Sequence, residues 1–129
     1  MTIYLTPQQI LFIHARLIAE TGGEHGLRDI GLLESAVARS MATFDGQDLY
    51  PTMFAKAAAL MESLVVNHAF VDGNKRVAIT AAALFLWRKG YRIVADNAEL
   101  ERFTRQVVLA RPSLDVIAGW FLAKTTVAR

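Results

Sequence analysis

The stretch HAFVDGNKR, residues 68–76, gathers the side chains of this chain that are best suited to chemistry. His68 is of the residue type that most often serves as a general base near neutral pH. Asp72 can hold a hard cation such as Mg²⁺, which usually takes one or two protein carboxylates together with phosphate oxygens. Lys75 and Arg76 add positive charge just beyond it. Such a set suits the transfer of a phosphoryl or nucleotidyl group to a hydroxyl.

The backbone of the same stretch suits an anion. Gly73 and Asn74 lead into a predicted helix, whose first amides have no internal partner and lie at the positive end of the helix dipole. Gly73 permits a left-handed conformation in which successive N–H groups converge, and Asn74 can donate to a phosphate or cap the helix. Lys75 and Arg76 are unfavourable at this end of a helix unless a polyanion binds there. The stretch therefore predicts a phosphate site.

The alternative is that these residues form an ordinary turn. Asp-Gly-Asn is common turn chemistry, and a lone histidine is usually structural. A plain turn does not need His68 and two cations around it, so the combination favours the chemical interpretation. Phe70 is predicted to point inward and anchor the loop. His14 and His25 have no such neighbours in the sequence, and we predict no role for either.

Six predicted helices position this stretch. Caps and opening residues mark the start of most of them: Thr6-Pro7-Gln8-Gln9, Asp29, Pro51, Asn97 and Ser113. The predicted ranges are 7–21, 30–40, 51–67, 74–89, 98–109 and 114–124, with a turn or loop at 44–48 and an extended segment at 91–94. The sequence therefore predicts an all-α fold, a compact bundle of about six helices in a single domain, 1–129.

The third and fourth predicted helices are apolar nearly all round, so both should be central. Their alanines allow the two helices to approach closely: Ala55, Ala57, Ala58 and Ala59 on one, and Ala78, Ala81, Ala82 and Ala83 on the other. Such a pair would hold the bend between them, which is HAFVDGNKR, rigid.

Composition limits the classes of protein to consider. The chain is 53% hydrophobic, which indicates a globular domain, and it contains no cysteine, which excludes disulfides and thiolate metal sites. The sequence shows no signal peptide and no apolar run of about 20 residues, so we expect a cytoplasmic protein. The net charge of +2 does not by itself indicate a nucleic-acid binder.

The nine residues resemble the signature of the Fic/Doc superfamily, H-x-F-x-[DE]-[GA]-N-[GK]-R. Seven positions match: His68, Phe70, Asp72, Gly73, Asn74, Lys75 and Arg76. Residues 27–36 resemble the family's second-helix segment, and the segment 45–51 and Lys56-Ala57-Ala58 resemble the death-on-curing (Doc) branch. The resemblance covers roughly residues 1–122.

This resemblance implies a toxin of a bacterial type II toxin–antitoxin system. It implies a protein kinase that uses ATP and Mg²⁺ to phosphorylate a translation elongation factor, elongation factor Tu, and so arrests translation. The family's roles map onto His68 as general base, Asp72 as the Mg²⁺ ligand, and Gly73, Asn74 and Arg76 as phosphate ligands. Lys75 stands where Fic adenylyltransferases commonly have glycine, and it fits a reversed nucleotide that offers its γ-phosphate.

The sequence leaves two alternatives open. The chain could be a Fic-type adenylyltransferase, or it could be a small basic regulator that binds nucleic acid through the helix at 98–109, with Arg102, Arg105 and Gln106. The family's inhibitory pattern, [ST]-x-x-x-E-[GN], does not occur in these 129 residues. We therefore expect inhibition by a separate antitoxin, whose disordered segment folds into an apolar groove. Nucleic acid would be bound only through that antitoxin.

Overall fold

A computed structural model describes residues 4–128 and confirms the all-α bundle. The helices are α1 (Pro7–Thr21), α2 (Ile30–Ser40), α3 (Met53–Asn67), α4 (Asn74–Arg88), α5 (Asn97–Ala110) and α6 (Leu114–Lys124). Two short antiparallel pairs join them: β1 (Thr43–Phe44) with β2 (Gln47–Asp48), and β3 (Tyr91–Ile93) with β4 (Thr125–Val127). None of the helices in residues 4–128 has the length and apolar character needed to cross a membrane.

Helix α3 is the centre of the bundle and packs against α4, α2 and α6. The prediction that α3 and α4 are central is confirmed. Short side chains make the pair close, because Ala57 and Ala58 on α3 and Ala78 and Ala81 on α4 are all fully buried. Core side chains are packed almost as densely as a crystal, so the loop that joins these two helices has fixed ends.

Several helix starts are as the sequence predicts, and two are not. Thr6 and Gln9 form the capping box of α1, and Asp29 and Ser113 cap α2 and α6. The prediction that Pro51 opens α3 is wrong, because the hydroxyl of Thr52 accepts a hydrogen bond from the amide of Ala55 and the helix begins after it. Asp96, and not Asn97, caps α5, since Asp96 and Glu99 form a reciprocal capping box.

The strand pairs go beyond what the sequence predicts. The expected turn at 44–48 is a small hairpin whose central residues, Asp45 and Gly46, have φ of 53° and 75°. Positive φ at both positions is the geometry of the tight turns that Asp-Gly favours. The extended segment at Tyr91 is confirmed as β3, but its partner β4 lies at the far end of the chain and was not predicted.

Candidate functional site

The loop between α3 and α4, residues 68–73, carries the predicted site. His68 is the C-cap of α3 in a left-handed conformation, and its side chain is exposed. The guanidinium of Arg28 donates to the carbonyls of His68 (2.7 Å) and Asn67 (3.1 Å). These are orphan carbonyls at the negative end of α3, so a cation satisfies them well. The backbone at the predicted general base is therefore held from outside the loop.

The side chain of Asn74 closes the loop on itself. Its Oδ1 accepts from the amide of Phe70 (3.1 Å), and its Nδ2 donates to the carbonyl of Phe70 (2.9 Å). Phe70 itself points inward, as predicted, and is 2% exposed. Of the two uses expected for Asn74, helix capping is wrong, because Gly73 is the N-cap of α4 and Asn74 is the first helical residue. The Nδ2 group carries a second hydrogen, which can still serve a phosphate.

Gly73 precedes the first turn of α4 and leaves the amides of that turn uncapped. Its φ of 80° is left-handed, as the sequence predicts, and no side chain in residues 4–128 caps the first amides of this helix. The first turn contains no acidic residue and includes Lys75 and Arg76. The amides and the two cations therefore combine into a positive site without an internal counterion in that turn, which suits an anion.

The carboxylate of Asp72 is held as an anion beside this positive site. The amide of Glu24 donates to Oδ2 (3.1 Å) and the amide of Gly73 donates to Oδ1 (2.8 Å). These two bonds, in that order, lower the pKa of Asp72, and the guanidinium of Arg76 adds to the effect. A carboxylate has about four lone-pair sites, so two remain for a cation.

The carboxylate of Asp72 is a ligand of the kind that Mg²⁺ accepts together with phosphate oxygens. Among residues 4–128, no group of three or more histidine, cysteine or acidic side chains could form a cage of protein ligands. Mg²⁺ binds reluctantly to such cages and prefers one or two carboxylates with phosphate oxygens and water. Asp72 would be the protein ligand, and the remaining ligands would come from phosphates and solvent.

Arg76 reaches back to the end of α1. Its Nη1 donates to the hydroxyl of Thr21 (2.6 Å) and the carbonyl of Gly22 (2.7 Å), and its Nη2 lies 3.7 Å from Asp72. Guanidinium has five N–H donors, so these contacts leave others for a phosphate. The neighbouring Gly23 has a φ of 114°, which favours glycine, and a Cβ at that position would also lie 2.6 Å from Asp72 Oδ2.

The six predicted site residues line one open cleft of about 590 Å³. They are His68, Asp72, Gly73, Asn74, Lys75 and Arg76. Val65, Val71 and, from α5, Val108 also line it. The structure thus brings together every residue that the sequence selected, while their individual roles stay predictions.

Sequence reasoning missed His14, which the structure places directly behind the loop. This side chain is 4% exposed, and its ring stacks on Phe70 with 3.8 Å between the ring centroids. Its Nε2 lies 2.6 Å from the carbonyl oxygen of Asp72. The available signal was its spacing, because Ile10, His14 and Ile18 fall on one buried face of α1.

The residues proposed for a nucleic-acid helix lie on α5, and one of them, Arg105, lines a pocket that Lys75 and Arg76 also line. Arg102, Arg105 and Gln106 are exposed on α5, and Arg105 pairs with Glu101 one turn before it (2.7 Å). Exposed pairs of this kind are typical of a solvated helix face.

Comparison with known proteins identifies the family. Residues 4–86 match the model of the "Fic/DOC family", which is more than half of the chain. The chain belongs to the Fic/DOC family. Its relatives include "Toxin Doc" of Mycolicibacterium smegmatis, 52% identical over 96 residues, or 74% of this chain and 72% of that protein. "Protein kinase doc" of Escherichia phage P1 is 28% identical over 115 residues, or 89% of this chain and 90% of that protein. The motif loop, residues 68–73, lies within the residues that match the family model.

Proposed function

We propose that this Fic/DOC protein is the toxin of a toxin–antitoxin pair and acts as a Mg-ATP-dependent protein kinase on a hydroxyl of a translation factor. One observation carries the proposal: an exposed histidine, His68, shares a cleft with the open N-terminus of α4 and the ionised carboxylate of Asp72. The names of its relatives, "Toxin Doc" and "Protein kinase doc", support the biological setting and the reaction class.

Each of these residues has a separate role in phosphoryl transfer. His68 takes the proton of the target hydroxyl as its oxygen forms a bond to the γ-phosphorus and the bond from that phosphorus to the β-phosphate oxygen breaks. Mg-ATP supplies the phosphoryl group, and ADP leaves. The amides that follow Gly73, together with Asn74 and Arg76, bind phosphate oxygens. Asp72 holds Mg²⁺ against them.

Lys75 favours phosphoryl over adenylyl transfer. Its side chain is exposed at the rim of the cleft, in the first turn of α4. A long cation there fills space that glycine would leave open, and it adds a donor that glycine lacks. With the amides and Arg76 fixed, the polyphosphate must bind in a different direction, so that the γ-phosphorus is presented to the hydroxyl. Adenylyl transfer to the same hydroxyl is the competing outcome.

An apolar groove next to the cleft suits the antitoxin. It continues along α4 past Ile79 to Trp87, which is 52% exposed, and α5 contributes Leu100. Its two parts measure about 380 and 450 Å³. Basic side chains at its edges include Lys75 and Arg92, and Arg105 lies there in its pair with Glu101. These features suit an acidic, amphipathic segment that folds on binding and ends at the cleft.

Expression and mass spectrometry test this proposal. The chain produced alone should arrest growth, and co-expression with the antitoxin from its operon should restore it. Purified chain, Mg-ATP and an elongation factor of the Tu type should then yield a target whose intact mass rises by one phosphoryl group. An adenylyl increment would replace the kinase assignment, and normal growth with abundant folded protein would count against the toxin assignment.

A further inference from the structure

His14 contacts the motif loop at two points that are separated in the sequence. Its ring lies nearly parallel to the ring of Phe70, with 11° between the planes, and its Nε2 meets the backbone of Asp72. Helix α1 supplies it from 58 residues away, and the side chain is almost fully enclosed. His14 therefore contacts both Phe70, which anchors the loop, and Asp72, which precedes the N-cap of α4.

The hydrogen bond to Asp72 determines that Nε2 of the His14 ring carries a hydrogen. A carbonyl oxygen only accepts, so Nε2 of His14 carries the hydrogen and donates it across 2.6 Å. This direction matters, because the peptide that joins Asp72 to Gly73 is planar. Once its carbonyl is fixed toward α1, its N–H must point the opposite way. That N–H is the one that donates to Asp72 Oδ1.

Packing against α1 also restrains the turn at Gly73. A Cβ on Gly73 would lie 3.0 Å from Cδ1 of Ile18 and 3.4 Å from Nε2 of His14, so α1 is pressed against the left-handed turn. A phenylalanine at position 14 would fill this space and stack on Phe70 equally well. It would leave the carbonyl of Asp72 without this partner, and losing the partner of a sheltered acceptor is unfavourable. The histidine is thus explained by its donor and not by its volume.

We propose that His14 is a positioning residue for the nucleotide site. It holds the Asp72–Gly73 peptide, and through it the carboxylate of Asp72 and the first amides of α4, in the orientation that receives Mg²⁺ and phosphates. The link to Mg-ATP rests on the proposed function, whereas the effect on the loop itself does not.

Two substitutions separate the donor from the stacking. His14→Phe keeps a ring against Phe70 and removes the donor. His14→Gln removes the ring, and its side-chain amide places an N–H donor at about the reach of Nε2. Ile117→Val, a fully buried change in α6, provides a control that lowers stability by a substitution outside both α1 and the loop.

Two measurements follow each variant: the NMR shift and hydrogen exchange of the Gly73 amide, and Mg-ATP affinity by calorimetry. His14→Phe should shift the Gly73 signal, speed its exchange and weaken Mg-ATP binding by about tenfold, as the loss of one buried hydrogen bond implies. His14→Gln should recover most of both effects, and Ile117→Val should show neither.

Unchanged Gly73 exchange and shift in His14→Phe would overturn the proposal, as would equal effects in Ile117→Val. Equal loss in His14→Gln and His14→Phe would assign the role to the ring and contradict the donor argument. If the parent chain does not bind Mg-ATP, the proposed function fails, but the Gly73 amide still decides whether His14 positions the loop.

Discussion

Replacing His68 separates chemistry from folding, and its effect on stability follows from the structure. The side chain is exposed, and the contacts that hold this residue are made by its backbone carbonyl to Arg28. Its left-handed backbone, with φ of 50° and ψ of 51°, costs an L-residue about 1–2 kcal/mol, but histidine and alanine both incur this cost. His68→Ala should therefore lower the free energy of unfolding by less than about 1 kcal/mol, against a typical total of about 5–15.

The effect on the reaction should be far larger. Loss of a general base typically slows a reaction by about 10²–10⁴. His68→Asn provides the matched control for the backbone, because asparagine tolerates left-handed φ and cannot act as the base. We expect both variants to unfold in urea close to the parent and to transfer phosphate at least a hundredfold more slowly. Transfer within tenfold of the parent rate by either folded variant would refute the assignment of His68.

Three further predictions concern residues around the loop and in the core. Lys75→Gly should lower γ-phosphoryl transfer and admit some adenylyl transfer, and unchanged γ-transfer would contradict the directional argument. Because amides lower the pKa of Asp72, its stabilising contribution is present above the ordinary carboxyl pKa of about 3.9 and is lost as the pH falls through the lower folded-state value. The difference in free energy of unfolding between the parent and Asp72→Asn should accordingly be constant above about pH 5 and shrink in acid. A difference that stays constant down to about pH 2 would contradict a lowered pKa of Asp72 in the folded chain. Asp48→Ala leaves the fully buried ammonium of Lys56 without its partner at 3.0 Å, and it should lower the free energy of unfolding in denaturant by about 2 kcal/mol. Lys56→Met removes the buried charge and should change the free energy of unfolding by less than about 1 kcal/mol. Equal losses in the two variants would contradict this asymmetry.

The sequence predicts what short-range rules control. Thr6, Pro7 and Gln9 determine the start of α1 within one turn, and the six site residues converge because they are nearly contiguous. The hydrogen bonds of caps and turns span three or four residues, so they can be inferred from neighbours alone.

The contacts that support the site could not be inferred in this way. His14 and Arg28 act on the loop from 58 and 40 residues away, and the close approach of Gly23 to Asp72 exists only in the folded chain. A lone histidine on an apolar helix face gives no sign of which carbonyl it meets. Similarly, the pairing of β4 with β3 cannot be inferred from neighbouring residues, because α5 and α6 lie between the two strands in the sequence. Such pairings depend on the assembled bundle.

The most direct test of the central claim uses ATP labelled separately at the α and γ phosphates, with purified chain, Mg²⁺ and an elongation factor of the Tu type. The account predicts that the γ label appears on the factor with the parent chain and is nearly absent with His68→Asn. The α label should stay in solution in every reaction. Transfer of the α label by the parent would contradict the kinase assignment, and γ label on the factor at the parent rate with His68→Asn would contradict the site.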